Sequence, residues 1–159
     1  MKKIIAFVLS AVTALSMAGC SSADLASGKI ELQDGTYRAE FSDYDEFGWK
    51  DFVEVTVSEG QLYEVVYDAE NEDGTKLKSR DEGYKTEMES FNGTYPAKYD
   101  KDLINQFLQS GSADSVDTVA GATISTNNFK TLVVAAMKNA VDGDTDVAVV
   151  GDITADAAK

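Results

Sequence analysis

The chain has no histidine, one cysteine (Cys20), and only 14 lysines and arginines against 28 aspartates and glutamates. Without histidine no Ser-His-Asp triad can be built, and one cysteine cannot supply a Cys/His zinc site. Haem held by a histidine axial ligand is excluded for the same reason. The formal net charge of −14 repels the phosphates of nucleic acid and anionic lipid headgroups. It therefore argues against a nucleic-acid partner and favours solubility or a cationic one. Any redox role would rest on a cofactor held by other means.

What is present suits one domain with additions at its ends. The chain has 159 residues, 43% of them hydrophobic and 9% aromatic, enough for a single core. Met1-Lys2-Lys3 is positively charged, and residues 4–15 are apolar except for Ser10 and Thr13. Small residues follow up to Gly19-Cys20. This reads as a secretory signal peptide over residues 1–19, too short to span a bilayer. Met17-Ala18-Gly19-Cys20 resembles the bacterial lipobox, which implies lipidation of Cys20 and cleavage before it. Two or more acyl chains there would hold the protein stably on a membrane. Residues 20–33 would then be a lipidated tether, small and polar at 21–27.

The folded part is expected over residues 34–141. Tyr37, Ala39 and Phe41 alternate in a strand over 36–41, and Val53, Val55 and Val57 in a second over 49–57. A third strand is expected over 62–67, with hairpin residues Ser58-Glu59-Gly60 before it and Asn71-Glu72-Asp73-Gly74 closing it. Trp49 reads as a core aromatic at a sheet edge. Tyr84 and Met88, spaced i and i+4, predict a short helix after Asp81. Residues 91–96 are expected to be a loop, because Asn92-Gly93 and Pro96 both punctuate. A helix over 97–109 carries Leu103, Ile104, Phe107 and Leu108 as core residues. A last helix over 128–141 has Phe129, Leu132, Val133, Ala136, Met137 and Ala140 at helical spacing. The fold class is α+β: a single domain in which an antiparallel β-sheet meander packs against two or three helices.

Residues 142–159 read as an acidic tail with a possible short edge strand at 147–150. Asp142-x-Asp144-x-Asp146 has the opening spacing of a calcium loop. Val147 stands where such a loop needs glycine, and no glutamate closes it, so a solvated acidic tail is the expectation.

The stretch with most chemical promise is Asp117-Thr118-Val119-Ala120-Gly121-Ala122-Thr123-Ile124-Ser125-Thr126. A short apolar-rich segment at 115–120, read as a strand, runs into a glycine turn and then a helix. That order presents free backbone N–H groups to an anion. The small Gly121 and Ala122 leave room beside the Thr123 hydroxyl for a bulky group. The same residues also allow a plainer reading, in which Ser125 or Thr126 caps the helix and Gly121 makes the turn.

Asp117-x-x-x-Gly121-Ala122-Thr123-x-Ser125 resembles the flavinylation motif of the FMN-binding domain family. That family includes the C subunit of the sodium-pumping NADH:quinone reductase, the G subunit of the Rnf complex and many small surface lipoproteins. It usually has Ser or Thr before the glycine, where this chain has Ala120. The order of Gly48-Trp49-Lys50-Asp51, Val53-Glu54-Val55, Glu59-Gly60 and Glu72-Asp73-Gly74 is also similar to the small lipoprotein members.

The resemblance implies FMN joined to Thr123 through a phosphoester, installed by a flavin transferase that recognises Asp117 and its neighbours. It implies an extracytoplasmic, lipid-anchored electron carrier rather than an enzyme. The carrier's partner would be a membrane redox protein or quinone-linked oxidoreductase, and an external acceptor would lie beyond it. Tyr84, Met88, Phe91 and Tyr95 are candidates for the platform under the flavin ring. Other readings are a lipoprotein module that holds FMN or another ligand non-covalently, a surface antigen or adhesin, or a signal peptide that doubles as a pheromone.

Overall fold

Alternation of small apolar and polar residues sets the sheet. The structure, a computed structural model, describes residues 31–151, so the expectations for the signal peptide, Cys20 and the last residues of the tail lie outside them. Strand β1 is Gly35–Phe41, β2 Trp49–Ser58, β3 Gln61–Asn71 and β4 Ala148–Val150. The sheet order is β3-β2-β1-β4. The first three strands form the expected antiparallel meander, and β4 adds to β1 in parallel, which makes the sheet mixed. The β2–β3 turn places Glu59 at φ 55° and Gly60 at φ 70°, the left-handed pair that a two-residue hairpin needs.

Pairing brings Tyr37 opposite Val55, Ala39 opposite Val53, and Val53 and Val55 opposite Tyr67 and Val65. All of these residues are buried. On the opposite face, Arg38 bridges Glu40 at 2.9 Å and Glu70 at 2.8 Å, and Lys50 reaches Glu40 at 2.6 Å. Arg38 also lies 4.0 Å from the centre of the Phe52 ring, so its stem and guanidinium cover an aromatic that would otherwise face water.

Three α-helices complete the α+β domain: α1 Glu82–Asn92, α2 Pro96–Ser110 and α3 Thr123–Asp142. A 3-10 turn, Lys78–Arg80, precedes α1. Helix α3 lies across β1 and β2 and buries Phe129, Leu132, Val133, Ala136 and Ala140. Phe129 meets Tyr67 and Phe107 edge-on, with ring centres 5.2 and 6.0 Å apart, joining α3 to both β3 and α2. Among the described residues no helix is long and apolar enough to cross a membrane.

Several sequence expectations shift. Helix α1 includes Phe91 and Asn92, because the breaking residue is Gly93, the left-handed cap at φ 68°. Leu108 is exposed at 48%; it falls on the outer side of α2, while Leu103 and Phe107 point inward. Residues 115–120 form no strand. Instead Gln106 accepts from the Asp117 N–H at 2.7 Å, and Lys130 donates to the Val116 carbonyl at 2.7 Å, so side chains satisfy the backbone that a ladder would have paired. Helix α3 begins at Thr123, five residues before the expected start. The hydroxyls of Thr126 and Thr131 bond back to the carbonyls of Ala122 and Asn127, which lets a polar stretch continue a helix.

Phe129 sits where three elements meet, fully buried. Phe129→Ala should cost about 3–5 kcal/mol of stability, read as a lower urea midpoint with little change in slope.

Candidate functional site

The site is built where the inner face of the sheet turns from apolar to polar. Asp51, on the same face of β2 as Val53, is buried, and its Oδ2 accepts from the Tyr67 hydroxyl and Asn128 Nδ2, each at 2.8 Å. The Tyr67 hydroxyl also lies 3.0 Å from the Ser125 carbonyl. These bonds fix the first turn of α3 above β2 and β3.

That turn has no side-chain cap. The N-cap is Ala122, so neither Ser125 nor Thr126 plays the capping part. The fully buried Thr126 acts as a clasp: its hydroxyl accepts from the Val119 N–H at 3.2 Å and donates to the Ala122 carbonyl at 2.9 Å. Among the described residues, the backbone N–H groups of Thr123, Ile124 and Ser125 have no partner. They point out of the helix end with its partial positive charge.

Gly121 has φ 79°, and a Cβ there would come within 2.5 Å of the Asn92 carbonyl oxygen and 3.2 Å of Thr94 Cγ2. Both the left-handed backbone and the close approach to the end of α1 require glycine at this position. The turn before Thr123 therefore lies directly against the C-terminal end of α1.

A cleft of about 620 Å³ opens over this turn, within the usual range for small-ligand sites of roughly 300–1,000 Å³. Gly121, Ala122, Thr123, Ile124 and Ser125 form one wall, and Tyr84, Glu87, Met88, Phe91 and Asn92 of α1 form another. Asp45, Phe47 and Lys78 complete it. Thr123 is exposed, as are Phe47 at 68%, Phe91 at 82% and Ile124 at 66%.

Of the residues singled out from sequence, Gly121, Ala122, Thr123 and Ser125 meet in this cleft. Asp117 does not line it; it is an exposed residue on the segment leading to the turn. Tyr84, Met88 and Phe91 line the cleft. Tyr95 does not, and its ring instead lies 5.2 Å from the Lys85 ammonium. Trp49 is buried and meets Tyr84 edge-on at 6.2 Å, backing the wall rather than facing the cleft.

Sequence reasoning missed Asp45, Phe47 and Lys78. Lys78 is buried, 3.4 Å from Asp45 Oδ2 and 4.7 Å from the centre of the Tyr84 ring. Burial works against its charge, but Asp51, Tyr84 and Asp45 outweigh it and raise its pKa above the ordinary lysine value. A buried cation amid so acidic a sequence was not visible because the carboxylates that face it, Asp45 and Asp51, are far away along the chain.

Behind Lys78 lie three buried carboxylates. Asp68 accepts from the Ser79 N–H and hydroxyl and from its neighbour Ala69. Burial raises the Asp51 pKa, against the pull of Lys78, Asn128 and Tyr67. Asp100 is pushed well above the carboxylate range, first by burial and then by the charges of Asp68 and Asp51. Its Oδ2 has no hydrogen-bond partner.

Residues 48–138 match the FMN-binding domain family. The chain belongs to that family. It is 40% identical over 113 residues to the 15 kDa lipoprotein of Treponema pallidum, an alignment covering 71% of this chain and 79% of the relative. A crystal structure of a Clostridium perfringens protein superposes with a TM-score of 0.70 at 33% identity, covering 76% of this chain and 98% of that one. The cleft suits such a ligand: its walls are largely apolar and aromatic, its floor offers unpaired N–H groups, and Lys78 adds a positive charge.

Two outcomes test this site. Gly121→Ala forces strain at φ 79° and a clash with Asn92, so it should destabilise by roughly 1–3 kcal/mol and reduce flavin retention. The raised carboxyl of Asp100 stabilises the fold fully below the ordinary aspartate value and loses that stabilisation as pH rises through its folded value. Asp100→Asn should therefore melt higher than wild type at pH 8, with the gap closing toward pH 4.

Proposed function

We propose that the chain carries FMN covalently on Thr123 and relays electrons outside the cytoplasm from a lipid-anchored position. The observation that carries this reading is the Thr123 hydroxyl, exposed on the first residue of an uncapped helix at the edge of an apolar cleft. An FMN phosphate esterified there would lie against the free N–H groups of Thr123, Ile124 and Ser125, where the helix end favours negative charge. Thus backbone donors meet much of the charge that a sequence poor in lysine and arginine cannot.

In the transfer, the Thr123 oxygen forms a bond to the FMN phosphorus of FAD while the diphosphate bond breaks and AMP leaves. The hydroxyl proton passes to the transferase or to water. Asp117, exposed just ahead of the turn, suits recognition by that transferase better than contact with the bound phosphate, which it would repel. When bound, the flavin would supply the redox chemistry. The protein's part is to hold the flavin ring, with Tyr84, Met88 and Phe91 as its apolar surface.

This makes the chain a carrier between a membrane or quinone-linked oxidoreductase and an external acceptor, and not an enzyme with its own substrate. Likeness to a relative named as a lipoprotein supports the anchor read from Met17-Ala18-Gly19-Cys20. Covalent attachment suits that setting, since a tethered cofactor keeps a high effective concentration at its site.

Protein produced with a flavin transferase should gain the mass of FMN minus water on the peptide bearing Thr123, and keep its yellow colour when denatured. Thr123→Val should lose both. An active transferase with no mass gain would instead favour non-covalent binding.

A further inference from the structure

Lys78 and Asp45 form an ion pair in the wall of the cleft, and the proposed flavin role leaves that pair unexplained. Lys78 is the one cationic side chain among the described residues lining the cleft. It is held from several sides. Asp45 Oδ2 lies 3.4 Å from its ammonium, and the Tyr84 ring, itself a wall residue, lies 4.7 Å away. Asp51, Asp68 and Asp100 line a small internal space with it on the inner side.

Asp45 is itself fixed. Its Oδ1 accepts from the N–H groups of Phe47 and Trp49, both at 2.9 Å, which orders the loop that joins β1 to β2. The same loop presents Phe47 to the cleft. The pair therefore places two opposite charges at set positions beside whatever fills the site, with Glu87 the other ionisable group of opposite sign to Lys78 on the cleft's α1 wall.

We propose that this pair sets the reduction potential of the flavin, Lys78 raising it and Asp45 lowering it. The inference rests on the covalent-FMN reading. Two electrons from the membrane oxidoreductase and one proton from solvent leave one negative charge on the reduced ring. Lys78 stabilises that charge relative to the neutral oxidised ring. Asp45 opposes it directly and also neutralises part of the Lys78 field. Fixed charges in a partly dry wall act more strongly than the same charges in water.

The two partners give variants of opposite sign. Lys78→Met removes the cation, and Lys78→Arg keeps it. Asp45→Asn removes the anion while keeping the Oδ1 acceptor that orders the loop, and Asp45 is exposed enough for the change to be tolerated. Each variant would be produced as full-length protein with a flavin transferase. Its loading would be measured by mass on the Thr123 peptide, its folding by thermal melting and its midpoint potential by redox titration.

Lys78→Met should reduce the ratio of reduced to oxidised flavin at a fixed potential by tenfold or more, a midpoint drop of about 30 mV for a two-electron couple. Lys78→Arg should restore most of it, and Asp45→Asn should move the midpoint the other way. If Lys78→Met fails to fold, the sign for Asp45→Asn decides alone. A loaded, folded Asp45→Asn whose potential is unchanged or lower overturns the proposal. Wild type that gains no mass on Thr123 overturns the covalent reading, and this proposal with it.

Discussion

A buried carboxylate holds the functional end of this fold together. Asp51 sits on the inner face of β2, which continues as Val53, Val55 and Val57, and it accepts from Tyr67 on β3 and Asn128 on α3 at 2.8 Å each. Such a group is costly to desolvate unless donors meet it, so the three elements hold one arrangement. The first turn of α3 inherits that order through Tyr67 and the Ser125 carbonyl. The Thr126 hydroxyl extends it back to Val119. The exposed Thr123 thus stands on a base fixed by several hydrogen bonds, which would suit the flavin attachment proposed for it.

The same polarity explains the charge pattern behind the cleft. Burial works against the Lys78 charge but Asp51 and its neighbours favour it, whereas burial and nearby carboxylates work against the charge of Asp100, whose Oδ2 has no hydrogen-bond partner. Breaking either side of such a buried set costs more than the pair itself contributes, because the remaining ion is left without a partner. The sheet's other face uses charges differently. Arg38, Glu40, Lys50 and Glu70 stay partly exposed in linked ion pairs, and Arg38 also covers Phe52, so its value lies as much in packing as in ion pairing.

The meander was legible from the alternation of Tyr37, Ala39, Phe41 and of Val53, Val55, Val57, since a half-buried strand writes its face in every second residue. The stripe from Phe129 to Ala140 was equally readable. The start of α3 was not, because Ser125, Thr126 and Asn127 look like residues that precede a helix, and only tertiary contact reveals that Thr126 bonds inside one. The motif from Gly121 to Ser125 could be recognised by its resemblance to the family's pattern, and the structure brings those residues into one cleft. Phe47, Asp45 and Lys78 could not be found that way. They join the cleft only through a loop and a 3-10 turn that lie more than forty residues from Thr123 along the chain.

The direction in which the chain enters the fold has a consequence for reach. Gln33, just ahead of β1, donates its N–H to the Ala140 carbonyl near the C-terminal end of α3, whereas Thr123 opens that helix. Seventeen residues of helix separate these points, about 25 Å at 1.5 Å per residue. An anchor upstream of residue 31 would hold the molecule by its foot and present the cleft at its head. On the proposed anchored-carrier reading, the cleft would face outward, toward partners that approach from beyond the membrane surface, and exchange with a partner in the bilayer would need the whole domain to turn over.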